Sequence, residues 1–250
     1  MSHFLKKGQS SARILFNSVP TRHAIALAAD GTVWFTNGGG IDGSYPSSIA
    51  KFALVDGVLK RQFRHFFGKA IKGMSLDSQG NAWVASQGDN MVYGFRPDGA
   101  EIGGFSGGGV DGPWGVTVDG EDNLWVSNFG PLQPRSNFTS GRLAKLCGAN
   151  PATRPPGTKV GDPISPTTGY TVHSAGSQVL LHNGDPLYGP GSRLLSFAPM
   201  MRQTNSVIDQ AGNVWSLNNW KPDFDIDVLS NPGGDGVVIF VGLAAPPSAD

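Results

Sequence analysis

The sequence predicts an all-β chain folded as a β-propeller of four-stranded antiparallel blades, five or six in number. Three observations carry that expectation. A unit of strand, tight turn and tryptophan-opened strand recurs as HAIALAADGTVWFTN (23–37), KGMSLDSQGNAWVAS (72–86), WGVTVDGEDNLWVSN (114–128) and NSVIDQAGNVWSLN (205–218). Its tryptophans, Trp34, Trp83, Trp125 and Trp215, are spaced by 49, 42 and 90 residues, the last being two periods of 45. The composition, with 36 Gly, 18 Pro and only 15% charged residues, suits strands and turns rather than helices. A regular period of 40–50 residues built on such units is the signature of radial repetition.

Each piece of the unit has a physical reason. In Ile25–Leu27, Met74–Leu76 and Val116–Val118, apolar and small residues alternate, as in a strand with two unlike faces. Gly80-Asn81 and Gly212-Asn213 accept the positive φ of a two-stranded hairpin, and Asp122-Asn123 fills the same places in the third unit. The tryptophan then puts a large ring between neighbouring sheets. Segments 48–54, 91–95, 142–146 and 193–197 supply third strands, and Glu101–Phe105 an outer, fourth strand. A degenerate unit is expected at Ser174–Asn183, with Val179 in the tryptophan position. Residues 13–19 read as an outer strand without a blade of its own and 236–243 as a third strand; pairing such terminal strands would remove an exposed edge. An N-terminally incomplete ring is the alternative.

The chain of 250 residues reads as one domain, 1–250. Two stretches break its rhythm, a Pro-rich insertion at about 129–170 and a loop at about 221–235 carrying Asp223, Asp225, Asp227 and Asp235. The aspartates alternate as in a calcium loop, but the glycine and distal glutamate of an EF-hand are missing, so a solvated acidic loop is expected.

Several function classes are excluded. With 19 basic and 19 acidic side chains the net charge is zero, which offers no footprint for nucleic acid and no polybasic membrane surface. No run of 18 apolar residues spans a membrane, and the first ten residues lack a signal-peptide core. The expectation is a soluble protein, cytoplasmic as written, or extracellular or periplasmic if a targeting segment is missing. The single Cys147 excludes a disulfide framework and a Cys-rich zinc site. No G-x-S-x-G elbow exists, and the glycine runs at 38–43 and 103–109 lead no helix, so they are turns rather than phosphate cradles. His173 and His182 fit no metal-ligand spacing.

The unit D-x-x-G-N-x-W resembles the blade of the streptogramin B lyase (virginiamycin B lyase) family, related to NHL-repeat propellers, over about Ala24 to Leu243. The stretches 213–222 and 233–246 resemble the C-terminal end of uncharacterised bacterial members of that group. The resemblance implies a magnesium-dependent elimination that opens a cyclic depsipeptide lactone, with a general base. It places a histidine before an inner strand, an acid two residues earlier and an acid closing the next strand. His23 matches the histidine, but Thr21 and Asn37 stand where the acids are expected. Asparagine can ligate magnesium but cannot take a proton. His23 and Asn37 are therefore the candidate metal ligands and His23 the candidate base of an altered lyase. The Glu, Asn and Asp set of gluconolactonase-type propellers has no counterpart at the equivalent positions.

Beside that reading stands a binding module. Asn37, Ser86, Asn128, Asn218 and Asn219 close second strands, while His23, Lys72 and Trp114 open inner ones, with Asn205 as the fourth such position. Together they would make an amide-rich, partly aromatic channel mouth suited to a small polar ligand or a protein partner. Asparagine at a strand end also serves simply to satisfy turn backbone.

Overall fold

The computed structural model describes residues 22–39, 45–130, 142–170, 188–189, 193–194, 200, 202–218 and 237–247. Among them there is no helix and there are sixteen strands. The first sheet is a meander of β1 (Arg22–Leu27), β2 (Val33–Asn37), β3 (Ser48–Val55) and β4 (Val58–Phe66). The second repeats it with β5 (Ile71–Leu76), β6 (Ala82–Ser86), β7 (Met91–Phe95) and β8 (Glu101–Phe105). The third holds β9 (Pro113–Val118), β10 (Leu124–Asn128) and β11 (Leu143–Leu146). Bridges from Leu143 to Tyr170 and from Leu146 to Pro163 let the Pro-rich insertion cover the outer edge of β11. A two-stranded pair, β12 (Tyr188–Gly189) with β13 (Arg193–Leu194), precedes the last blade of β14 (Gln203–Ile208), β15 (Val214–Asn218) and β16 (Val237–Phe240).

The protein is thus an all-β propeller, with four blade sheets among the described residues rather than the five or six expected. The inner strands stand in a row, β1 beside β5, β5 beside β9 and β9 beside β14. The degenerate unit expected at 174–183 lies outside the described residues. Even so, β9 and β14 touch directly: Thr117 Oγ1 donates to the Ser206 carbonyl at 2.7 Å, and a Cβ on Gly115 would lie 2.5 Å from the Thr204 carbonyl. No inner strand separates them. Residues 13–19 and the acidic loop at 221–235 also lie outside the described residues.

The repeat motif earns its spacing in the hairpin turn. Asp77 Oδ1 accepts the backbone N–H groups of Gln79 and Asn81, while its Oδ2 accepts Asn81 Nδ2 and the indole Nε1 of Trp83 at 2.9 Å. Asp119 does the same for Glu121, Asn123 and Trp125, and Asp209 for Ala211, Asn213 and Trp215. One carboxylate therefore closes the turn and satisfies the only polar atom of a large ring, which lets Trp83 and Trp125 be buried completely. The residue opposite each tryptophan on the third strand then adapts to it. Lys51 and Lys145 place their ammonium groups over the Trp34 and Trp125 rings, and Gly94 removes a Cβ that would sit 2.6 Å from Trp83.

Packing between blades follows one rule. The tryptophan face of each blade meets the opposite face of the next: Trp34 packs with Ile71, Ala82 and Val84, Trp83 with Val116, Leu124 and Val126, and Trp125 with Ile208 and Val214. Among the described residues three junctions of the same kind hold four blades together.

Candidate functional site

The sheet register explains why the inner-strand residues become special. In every blade the ladder between the first and second strands skips at one place: between Arg22 and Ala24, Ile71 and Met74, Pro113 and Gly115, and Gln203 and Asn205. His23, Lys72, Trp114 and Thr204 are the residues at these bulges. A bulge frees a residue from the pairing ladder and re-aims its side chain. The fourth position is therefore Thr204 and not Asn205, because the register, which runs back from the conserved geometry of the Asp209 turn, places the bulge one residue earlier.

Three of the four bulge residues meet. Lys72 Nζ lies 3.5 Å from His23 Nε2 and 4.3 Å from the centre of the Trp114 ring, and the His23 and Trp114 rings are edge to face at 6.1 Å. The approach is possible because Gly73 and Gly115 follow the bulges; a Cβ on Gly73 would lie 2.9 Å from the Trp114 carbonyl. Thr36 Oγ1 donates to the Lys72 carbonyl at 3.2 Å, and Gly38 lets the His23 ring lie against its backbone. The Phe129 ring lies tilted against Trp114 with centroids 4.4 Å apart, and the Arg202 guanidinium lies 4.9 Å from the Phe129 ring centre.

This cluster is electropositive although the chain is neutral overall. Lys72 is only 6% exposed, and among the described residues no carboxylate forms an ion pair with it. Burial pushes its pKa down. His23 is held at a pKa of about 4, first by desolvation and then by the Lys72 charge, although His23 is the more exposed residue of the two. Near neutral pH His23 is therefore uncharged, and Nε2 accepts from the Lys72 ammonium, which puts the ring proton on Nδ1.

The second-strand ends divide differently from expectation. Ser86 is fully buried, with its hydroxyl shared among the backbone of Lys69 and the carboxylate of Asp89. Asn128 is also fully buried; Oδ1 accepts the Asp111 N–H, and Nδ2 donates to the carbonyls of Gly109 and Arg142. Both hold turn backbone and present no atom to a ligand, which corrects their place in the expected amide ring. Asn37 is half-buried at the end of β2. The Asn218 side chain and all of Asn219 lie outside the described residues. The structure adds Phe129, Arg202 and Thr204; only Thr204 carried a usable sequence signal, its distance of eleven residues before a motif tryptophan, shared with His23, Lys72 and Trp114.

The residues do not fit a magnesium ion. Among the described residues no three of His, Cys, Asp and Glu come together as a metal-binding group, and the Lys72 ammonium lies within hydrogen-bond distance of His23 Nε2. A cation 3.5 Å from the candidate ligand opposes a second cation, and the hard anionic oxygens magnesium requires are missing from the set.

The fold is that of a β-propeller protein, and its inner strands bring His23, Lys72 and Trp114 into one cationic, aromatic cluster. No protein-family model and no curated protein matches the sequence. Solved structures do resemble it. An inactive variant of virginiamycin B lyase from Staphylococcus aureus with quinupristin is 13% identical, with a TM-score of 0.48, covering 82% of this chain and 52% of that one. A protein of unknown function from Bacteroides caccae is 10% identical at a TM-score of 0.50, over 98% of this chain and 72% of that one. A putative gluconolactonase is 15% identical at 0.47, over 91% and 60%. At such identities the likeness is one of fold, and the chain spans about half the length of two of the lyase structures it matches. No helix among the described residues is long and apolar enough to cross a membrane.

Proposed function

We propose that the chain is a binding module whose propeller mouth takes a small polar ligand through a negatively charged group seated near Lys72. One observation carries this reading: Lys72 is a buried ammonium whose partners are a neutral imidazole and an indole face, and among the described residues no carboxylate pairs with it. A buried charge without a counter-charge is costly to the fold, and a ligand that supplies the missing anion recovers that cost. The Trp114 ring offers a flat apolar wall for the rest of the ligand. A carboxylate on a protein partner has the same chemistry and is a second occupant of the same site.

No observation favours the alternative, a magnesium-dependent lyase acting on a depsipeptide lactone. His23 is unprotonated near neutral pH, but a group with a pKa of about 4 is a weak base, and its hydrogen-bond partner among the described residues is the Lys72 ammonium rather than an acid.

The test is thermal melting and calorimetric titration with acetate, citrate and inorganic phosphate, against an uncharged sugar of similar size. An anion that binds only the folded protein raises the midpoint by a few degrees at concentrations far above its dissociation constant. The rise should vanish in Lys72→Met. No shift with any anion, or an equal shift in Lys72→Met, removes the reading.

A further inference from the structure

Among the described residues the two ends of the blade row are both apolar and both exposed, and they differ in kind. On the last blade the tryptophan face carries Val207, Trp215, Leu217, Val237 and Ile239, which lie side by side through the pairs Val207–Trp215, Trp215–Ile239 and Leu217–Val237. All five are exposed, and Trp215 is 39% accessible where Trp34, Trp83 and Trp125 are wholly buried. On the first blade the opposite face carries Ile25, Leu27 and Leu54, which are exposed as well. Among the described residues β1 does not pack against β14 in the way that consecutive inner strands do.

The three internal junctions each join a tryptophan face to the opposite face of the following blade. The last blade therefore displays the first half of a junction, and the first blade displays the second half. We infer that these two faces dock between copies of this chain: the Trp215 face of one copy packs on the Ile25–Leu27 face of another. A two-fold axis makes this contact twice and leaves neither apolar face in water.

The area fits that occupant. The eight side chains expose roughly 800 Å² per copy, which matches the ~800 Å² that each partner contributes to a standard stable interface. Split between the two faces this is roughly 400 Å² each, the size range of apolar patches that are often functional on a monomer. Contacts between unlike faces either close or run on as a polymer, and the pairing of both ends by one two-fold is the closed solution.

Size-exclusion chromatography with light scattering at tens of micromolar should give twice the chain mass. Leu27→Glu and Val207→Glu each place a charge in both junctions of the pair and should each give a monomer. Their folding is checked by far-ultraviolet circular dichroism, and both positions are solvent-exposed in the single chain. An equimolar mixture of the two variants keeps one unmodified junction, the last blade of the Leu27→Glu chain on the first blade of the Val207→Glu chain, and should form a weaker dimer, seen at concentrations where each variant alone stays monomeric. A monomeric wild-type protein overturns the inference and assigns the faces to other residues of the same chain. An open polymer overturns the two-fold closure, and a dimer that persists in both variants overturns the choice of faces.

Discussion

Ala28 stands six residues before Trp34, where the other three blades place an aspartate, and the buried Nε1 of Trp34 has no hydrogen-bond partner. In those blades the aspartate accepts the indole N–H at 2.8 to 3.0 Å. Asp30 in the first blade is shifted by two positions and instead binds Thr32 and Lys51. Ala28→Asp should therefore restore the missing bond and stabilise the protein by about 1 kcal/mol, raising the melting midpoint by roughly 2–4 °C. Differential scanning calorimetry reads this directly, and an unchanged or lower midpoint refutes the assignment.

Removing a working clamp should cost far more. Asp119 is buried, accepts Trp125 Nε1 and lies 3.2 Å from Lys145 Nζ, itself over the Trp125 ring. Asp119→Ala leaves the buried Lys145 ammonium without its counter-charge, with only the Leu243 carbonyl to accept from it, and the buried Trp125 indole N–H without its acceptor. A loss of about 3–5 kcal/mol, or roughly 10 °C in the midpoint, is expected. Urea unfolding with an unchanged m-value would confirm that stability rather than compactness has changed.

The pH dependence of His23 follows from its surroundings. Its pKa is about 4 in the folded protein against 6.5 when free, so folding favours the neutral ring. The corresponding stabilisation is whole above pH 6.5 and fades as pH falls toward 4, because the unfolded chain binds the proton first. Proton NMR of the imidazole, assigned with His23→Gln, should show this titration. Lys72→Met should move it only part of the way back, since burial is the larger cause and the Lys72 charge the smaller.

The mouth should also be sensitive to a single methyl group. A Cβ on Gly38 would lie 2.4 Å from Cδ2 of His23 and 2.9 Å from the Ile71 carbonyl. Gly38→Ala must therefore swing the ring away from Lys72. The expected result is a changed His23 titration and weaker binding of any anion that saturates the wild-type site, while the distant Trp125 clamp, read by protection of its indole N–H from hydrogen exchange, stays unchanged.

Much of the blade was legible without coordinates. The alternation in β5 and β9, the Gly-Asn turns and the tryptophans of β6 and β10 depend on residues within about ten positions of each other. The third strands at 91–95 and 142–146 followed from the same local patterns, and the structure has β7 and β11 there. The site was half legible. His23, Lys72 and Trp114 stood out as inner-strand openers, but Ser86 and Asn128 looked like ligand groups only because their burial is invisible in a sequence. Asn205 was off by one residue, since a bulge shifts the ladder without leaving a mark in the composition.

The sequence by itself determined that this chain makes antiparallel blades with tryptophan-filled junctions, because period-2 alternation and a turn closed by one aspartate are short-range properties. Only the tertiary structure decided what the junctions bring together. Lys72 meets His23 across 49 residues of chain, and β14 lies directly against β9 across the long segment that separates them. Those contacts depend on how whole sheets stack. Stacking is driven by the burial of entire faces and by close backbone approach at Gly73 and Gly115, quantities that no local window of the sequence contains.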